Sequence, residues 1–277
     1  MIKNWLVKGD CHGSFDWMDN GCLSDYKPSE TAIIVLGDVG FNFWLNKKDD
    51  KIKKEVNSKG YRFYCLQGNH EARPTDIAGM QDIYDDDVKG WLYIQPIYSN
   101  IRYLKMWGDY CFGKYFTAVL GGAYSVDKWW RLQNAGVTGP KDPKYHNPKA
   151  TGWCPNEQMT KQEMKEAEEA LSGIPYDFVM SHTCPISWQP TDLFLSAVNQ
   201  SEVDNSMELW MDKFKDKIKY TAWLFGHYHQ DRLERPHVEM YYHDIESLDN
   251  VYNRWMKYDE GGELEWWLTK SPNFYMK

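Results

Sequence analysis

The sequence predicts an α/β fold with a mixed β-sheet, and three observations carry that prediction. Five short apolar runs, "WLVKGDCHG", "AIIVLGDVG", "FYCLQGNHE", "FVMSHTCP" and "AWLFGHYHQ", have strand length, and in each the apolar residues give way to Gly, Asp, Asn, Ser or His. Stretches of helical period lie between several of them. The segment "IRYLKMWGDYCFGKYFTAVLGGAYS" reads as two or three strands with no intervening helix, so part of the sheet is antiparallel.

In chain order, the first run begins at residue 2 and leads straight into Asp10 and His12, which leaves no room for a secretory signal. After the second run, "NKKDDKIKKEVNSKG" predicts a charged helix with Ile52 and Val56 on its inner face and Gly60 as its stop. The third run follows it. From 127 to 158 the chain reads as a long loop rich in Gly, Pro and Trp, a length usually reserved for function. "TKQEMKEAEEALSGIP" then carries a capping box from Thr160 to Glu163, an inward stripe of Met164, Ala167 and Leu171, and Gly173 and Pro175 beyond the end. A helix over roughly 205–218, with Met207, Trp210, Met211, Phe214 and Ile218 inward, feeds the fifth run. The strand-like segments "VEMYYHDI" and "LEWWLTK" close the chain. With no repeat, linker or low-complexity tract, a single domain over 1–277 is expected.

Composition narrows the function. The formal charge is -8, from 32 basic and 40 acidic residues, so the overall field does not attract extended nucleic acid. Six cysteines, none in a C-x-x-C pair, suit reduced thiols and a cytoplasmic location. No apolar stretch approaches membrane-span length. Cys11 and Cys184 sit beside chemistry-bearing residues but read as packing thiols.

Taken singly, Asp10, His12, Asp38, Asn69, His182, His227 and His229 each read as a turn residue, a cap or an interior histidine. Together they fall just after predicted strands, where α/β proteins place their sites. In "GHYH", alternation along an extended segment aims His227 and His229 to one side and Tyr228 to the other. Two aspartates, an asparagine and four histidines offer oxygen and imidazole ligands without thiolate, a set suited to Mn, Fe, Zn or Ni. Seven are too many for one tetrahedral ion and suit two ions sharing a carboxylate.

The ordered set "GDCHG", "GDVG", "GNHE", "SH" and "GHYH", spanning residues 9 to 229, resembles the signature of the calcineurin-like metallophosphoesterases. The resemblance implies a four-layer α/β sandwich of two mixed sheets flanked by helices. It implies two divalent metal ions, manganese foremost, with Asp10, His12 and His229 on the first, Asn69, His182 and His227 on the second, and Asp38 bridging. A metal-bridging hydroxide would attack phosphorus in line, and His70 would protonate the leaving group. Two divalent ions less two carboxylates and a hydroxide leave about +1, so phosphate is attracted despite the acidic protein.

The second motif departs from the family's G-D-x-x-D-R-G, continuing as "GDVGFNF". The absent acid would orient the motif histidine and the absent arginine would grip phosphate, which argues against a protein phosphatase. Glu71 or Arg73 stands near enough in sequence to substitute. "GGAYSVDKWWR" and "GWCPNE" resemble a segment of uncharacterised bacterial and phage members. There Lys128 and Arg131 are candidates to meet substrate, with Trp129, Trp130 or Trp153 as a stacking face. The expected substrate is a nucleotide or another small phosphodiester; the alternatives are a phosphomonoesterase or protein phosphatase, or a non-catalytic metal-binding scaffold.

Overall fold

The computed structural model describes residues 1–262. It contains β1 (Asn4–Lys8), β2 (Thr31–Val35), α1 (Lys47–Ser58), β3 (Arg62–Cys65), β4 (Gln81–Asp85), β5 (Gly90–Ile94), β6 (Ile101–Leu104), β7 (Trp107–Phe112) and β8 (Tyr115–Leu120). These are followed by α2 (Lys128–Asn134), α3 (Pro148–Thr151), α4 (Lys161–Leu171), β9 (Pro175–Ser181), α5 (Ser206–Phe214), β10 (Lys219–Phe225), β11 (Arg232–Arg235), β12 (Val238–Met240), β13 (Ile245–Ser247) and α6 (Leu248–Asp259).

The strands form two mixed sheets, ordered β13-β1-β2-β3-β6-β5-β4 and β11-β12-β10-β9-β8-β7. β1, β2, β3 and β6 run parallel, as do β8, β9, β10 and β12. The central strands are apolar on both faces because both faces are covered. Ala32, Ile34, Ala222 and Leu224 pack between the sheets with Phe178, Met180 and Trp255. Their neighbours Ile33 and Val35 turn outward to Val56 and the partly buried Ile52 of α1, while Trp223 and Phe225 turn to α4 and α5. Three apolar interfaces therefore separate four layers, as the fold expectation required.

α1 starts where the Asn46 side chain accepts from the Lys48 amide at 2.8 Å, and the chain leaves it through Gly60 at φ 82°. α4 carries the full capping box, with Met164, Ala167 and Leu171 buried. α5 ends at Phe214, short of the expected 218, because the chain turns at Lys217, whose amide returns to the Phe214 carbonyl at 2.8 Å. Ile218 is buried all the same.

Two expectations need correction. The 127–158 stretch is not a bare loop, since α2 and α3 lie within it. "VEMYYHDI" is not one strand: the Asp231 carboxylate takes the amides of Tyr242, His243 and Asp244 at 2.7, 2.9 and 3.0 Å. That turn carries the chain from β12 in one sheet to β13 in the other, and α6 follows unforeseen. The β4–β5 hairpin was also unforeseen; "LEWWLTK" lies outside the described residues. Among the described residues no helix is long and apolar enough to cross a membrane.

Candidate metal centre

The seven candidate ligands sit in turns beyond the carboxyl ends of β1, β2, β3, β9 and β10, so two edge-aligned parallel sets aim their loops at one place. Four of them, His12 (φ 48°), Asp38 (φ 46°), His227 (φ 69°) and His229 (φ 55°), have left-handed backbones. Such conformations cost of order 1–3 kcal/mol each and persist where the surroundings impose them. This replaces the expected extended segment at "GHYH". The two imidazoles do meet neighbouring spots, but because the backbone coils, not because it alternates.

Glycine permits the crowding. A Cβ on Gly68 would lie 2.0 Å from Asp38 Oδ1, and one on Gly226 would lie 2.4 Å from Asp10 Oδ1. The carboxylates also bind the loops together. Asp38 Oδ1 accepts from the His70 amide at 2.8 Å, and Asp10 Oδ1 accepts from the His227 amide at 2.9 Å.

On one side, His12 Nε2 and His229 Nε2 are 2.8 Å apart, at 3.6 and 3.2 Å from Asp10 Oδ2. On the other, His182 Nε2 lies 2.9 Å from Asn69 Oδ1 and 3.6 Å from Asp38 Oδ2, and the His227 ring packs 5.0 Å from the His182 ring. The orientation of this second group is fixed from behind. Nδ1 of His182 meets the Leu36 carbonyl at 2.7 Å, which places the ring hydrogen there. Asn69 Nδ2 donates to Ser125 Oγ at 2.9 Å, and that hydroxyl donates to Glu157 at 2.6 Å. Ser125 and Glu157 fall inside quoted stretches of the sequence, yet nothing in their local pattern marks them as props for a residue so far away.

Electrostatics agree with the geometry. Burial opposes ionisation of Asp10, but His182, His12 and His229 outweigh it and hold the carboxyl well below its usual range. Burial likewise opposes ionisation of Asp38, and His182 and His70 lower it. Burial works against charge on His182, yet Asp38 and Asp10 raise it to about 9. His227 goes the other way, pushed down to about 3 by burial and by the neighbouring His182.

The residues present fit divalent cations. Asp10 Oδ2 and Asp38 Oδ2 are buried carboxylate oxygens with no hydrogen-bond partner among the described residues, a costly arrangement that a cation relieves. Ligand atoms of Asp10, His12 and His229 lie within 4.8 Å of one another, as do those of Asp10, Asp38 and His182. Asp10 belongs to both groups, and Asp38 joins it in the second.

His70 stands beside the cluster, its ring 5.8 Å from that of His12, and its Nδ1 lies 3.1 Å from Arg131 Nη2. Burial lowers its pKa, with Arg131 adding to the effect. Two cavities meet at His70 and His229. One, of about 300 Å³, is walled by Tyr124, Val126, Leu193, Phe194, Val198 and Val203 and reaches Asp38, Asn69 and His227. The other, of about 290 Å³, lies against His12, Phe43, Trp44 and Arg131.

The expected substrate-facing cations are mostly engaged elsewhere. Arg73 pairs with Glu163 of α4 at 2.5 Å and donates to the carbonyls of Asn156 and Gln158 at 2.7 Å each, so it pins the end of the 127–158 segment. Lys128 sits over the Trp153 ring at 4.4 Å, close to Trp129 and Tyr124, and lines neither cavity. Trp153 is buried, Trp129 and Trp130 are exposed, and none of the three lines either cavity. Glu71 is buried, and burial raises its carboxyl to about 8. Cys11 and Cys184 are buried thiols, with Cys11 pushed up to about 12 by burial, as packing residues should be.

No curated protein matches the chain. Among solved structures, the phosphopantetheinyl hydrolase PptH from Mycobacterium tuberculosis is similar at 12% identity, over 86% of this chain and 88% of its own, with a TM-score of 0.39. The family model for calcineurin-like phosphoesterases matches residues 6–231, a span that takes in all seven converging residues and His70. The chain therefore belongs to the calcineurin-like phosphoesterase family and is a metal-dependent phosphoesterase.

Proposed function

We propose that the protein hydrolyses small phosphodiesters on two divalent cations, manganese foremost. Asp10, His12 and His229 would hold one and Asn69, His182 and His227 the other, with Asp38 available to both. When bound, such cations lower the pKa of water toward ~7 and neutralise phosphoryl oxygens. The chain's own residues do the rest. Asp10 and Asp38 stay ionised, and Leu36 and Ser125 hold His182 and Asn69 in ligating orientation. His70 faces the departing oxygen as a hydrogen-bond donor, the place where the family resemblance puts a proton donor.

The observation that supports a diester is the pair of cavities meeting at His70 and His229, which leaves room for an organic group on each side of one phosphoryl centre. No Lys or Arg lines the larger cavity, so a second phosphate has no partner there. Net charge -8 disfavours extended nucleic acid, and a small phosphoester in a reducing, cytoplasmic setting fits the free cysteines.

The test is turnover with added Mn²⁺ on bis-p-nitrophenyl phosphate, p-nitrophenyl phosphate, cyclic nucleotides and single-stranded DNA. Higher kcat/KM on the diester than on the monoester is expected. A preference for the monoester removes the diesterase reading, and no turnover of any member removes the catalytic one.

A further inference from the structure

We infer that Arg131 is a positioning residue that sets which edge of the His70 ring meets the substrate. The inference rests on the proposed role of His70 but goes beyond it, to a residue supplied by the 127–158 segment. A guanidinium only donates hydrogen bonds, so His70 Nδ1, 3.1 Å from Arg131 Nη2, is the acceptor. The single ring hydrogen of the neutral imidazole then resides on Nε2. Among the described residues no hydrogen bond engages that nitrogen, and the ring borders both cavities.

Arg131 is itself immobilised. Nε donates to Asp127 Oδ2 at 2.7 Å, one turn earlier, and Nη1 donates to the Gly152 carbonyl at 2.8 Å, across the segment. Its guanidinium carbon lies 5.3 Å from the centre of the Phe43 ring, and that ring is 6.4 Å from His70. Phe43 belongs to "GDVGFNF", the stretch that lacks the acid expected to orient the motif histidine. Arg131 therefore takes over the orienting task at Nδ1, but with the opposite polarity. A carboxylate would accept the Nδ1 hydrogen and favour imidazolium; a guanidinium gives its own hydrogen and dictates the Nε2–H tautomer. His70 is thereby set up to offer a hydrogen bond to the departing oxygen, an aid that matters most when that oxygen leaves as a poorly stabilised alkoxide.

The experiment compares the wild type with Arg131→Gln and Arg131→Ala, on bis-p-nitrophenyl phosphate, whose leaving group needs little help, and on 2′,3′-cyclic AMP, which expels an alkoxide. Metal content and melting temperature serve as folding controls. Loss of kcat of about 10²-fold on the cyclic nucleotide, with KM and the p-nitrophenyl rate within a few-fold, is expected. Guanidinium chloride should partly restore Arg131→Ala. Equal loss on both substrates, or loss confined to KM, overturns the inference and makes Arg131 a phosphate grip or a structural strut.

A second arm does not depend on turnover. In ¹⁵N-histidine-labelled, zinc-loaded protein, His70 Nδ1 should carry no hydrogen in the wild type and should lose that fixed tautomer in Arg131→Gln. A protonated Nδ1 in the wild type, or an unchanged tautomer in the variant, refutes the role of Arg131. If the wild type hydrolyses neither substrate, the functional reading fails while this arm still decides the positioning.

Discussion

Single residues here carry two kinds of buried charge. Asp10 and Asp38 remain ionised because histidines surround them, whereas Glu208, lining the larger cavity, accepts from Thr183 Oγ1 at 3.0 Å on one oxygen and has no hydrogen-bond partner on the other among the described residues. Burial raises its carboxyl from 4.5 to about 7. The folded state then binds the proton more tightly than the unfolded chain, so Glu208 favours folding most below pH 4.5 and that contribution is lost as pH rises to about 7. The swing is of order 3 kcal/mol. Glu208→Gln keeps an acceptor for Thr183 and should flatten the fall in melting temperature between pH 5 and 7. The slope should shrink without vanishing, because Glu157 is also raised to about 7 by burial. An unchanged slope in thermal denaturation would refute this account.

At the scale of elements, the fold and the site are joined through α4 and the 127–158 segment. The Thr160 hydroxyl accepts from the Glu163 amide at 3.1 Å, and the Glu163 carboxylate reaches back to the Thr160 amide at 2.7 Å. The same carboxylate holds Arg73, three residues past His70. Thr160→Ala should cost about 1 kcal/mol, read as a lower denaturation midpoint with an unchanged m-value. Its effect on kcat should be small, because Arg73 retains the carbonyls of Asn156 and Gln158. A stability loss below a few tenths of a kcal/mol would mean that the cap is not formed in solution. α1, α4 and most of α5 were legible because their apolar stripes follow the helical period, whereas the β4–β5 hairpin was not. Its exposed Tyr84 and Trp91 and charged neighbours blur the alternation that betrays a strand.

At the scale of the whole molecule, the two sheets hold seven polar side chains at the ends of parallel strands, leaving buried oxygens of Asp10 and Asp38 without a hydrogen-bond partner among the described residues. A ligand that binds only the folded chain adds RT ln(1 + [L]/Kd), or about 2.7 kcal/mol at a hundredfold excess over Kd. Stripping the protein with a chelator should therefore lower its melting temperature, and readded Mn²⁺ should restore it in a concentration-dependent way. A melting temperature indifferent to chelator and to Mn²⁺ would contradict the metal centre, whatever the activity.

The sequence by itself determined the α/β class with its mixed sheet and the candidates for the site, while the two-sheet sandwich was implied by the family resemblance. Apolar runs ending in Asp, Asn or His specify where strands stop and polar chemistry begins, and that is local information. Only the tertiary structure decided how the site is held together and which cations face it. Ser125 and Glu157 behind Asn69, Arg131 against His70, and the withdrawal of Arg73 and Lys128 are contacts across 25 to 90 residues. A charge in a loop reads the same in sequence whether it meets substrate, an aromatic ring or a carbonyl. Its partner is chosen by the packing of segments that only the folded chain brings together.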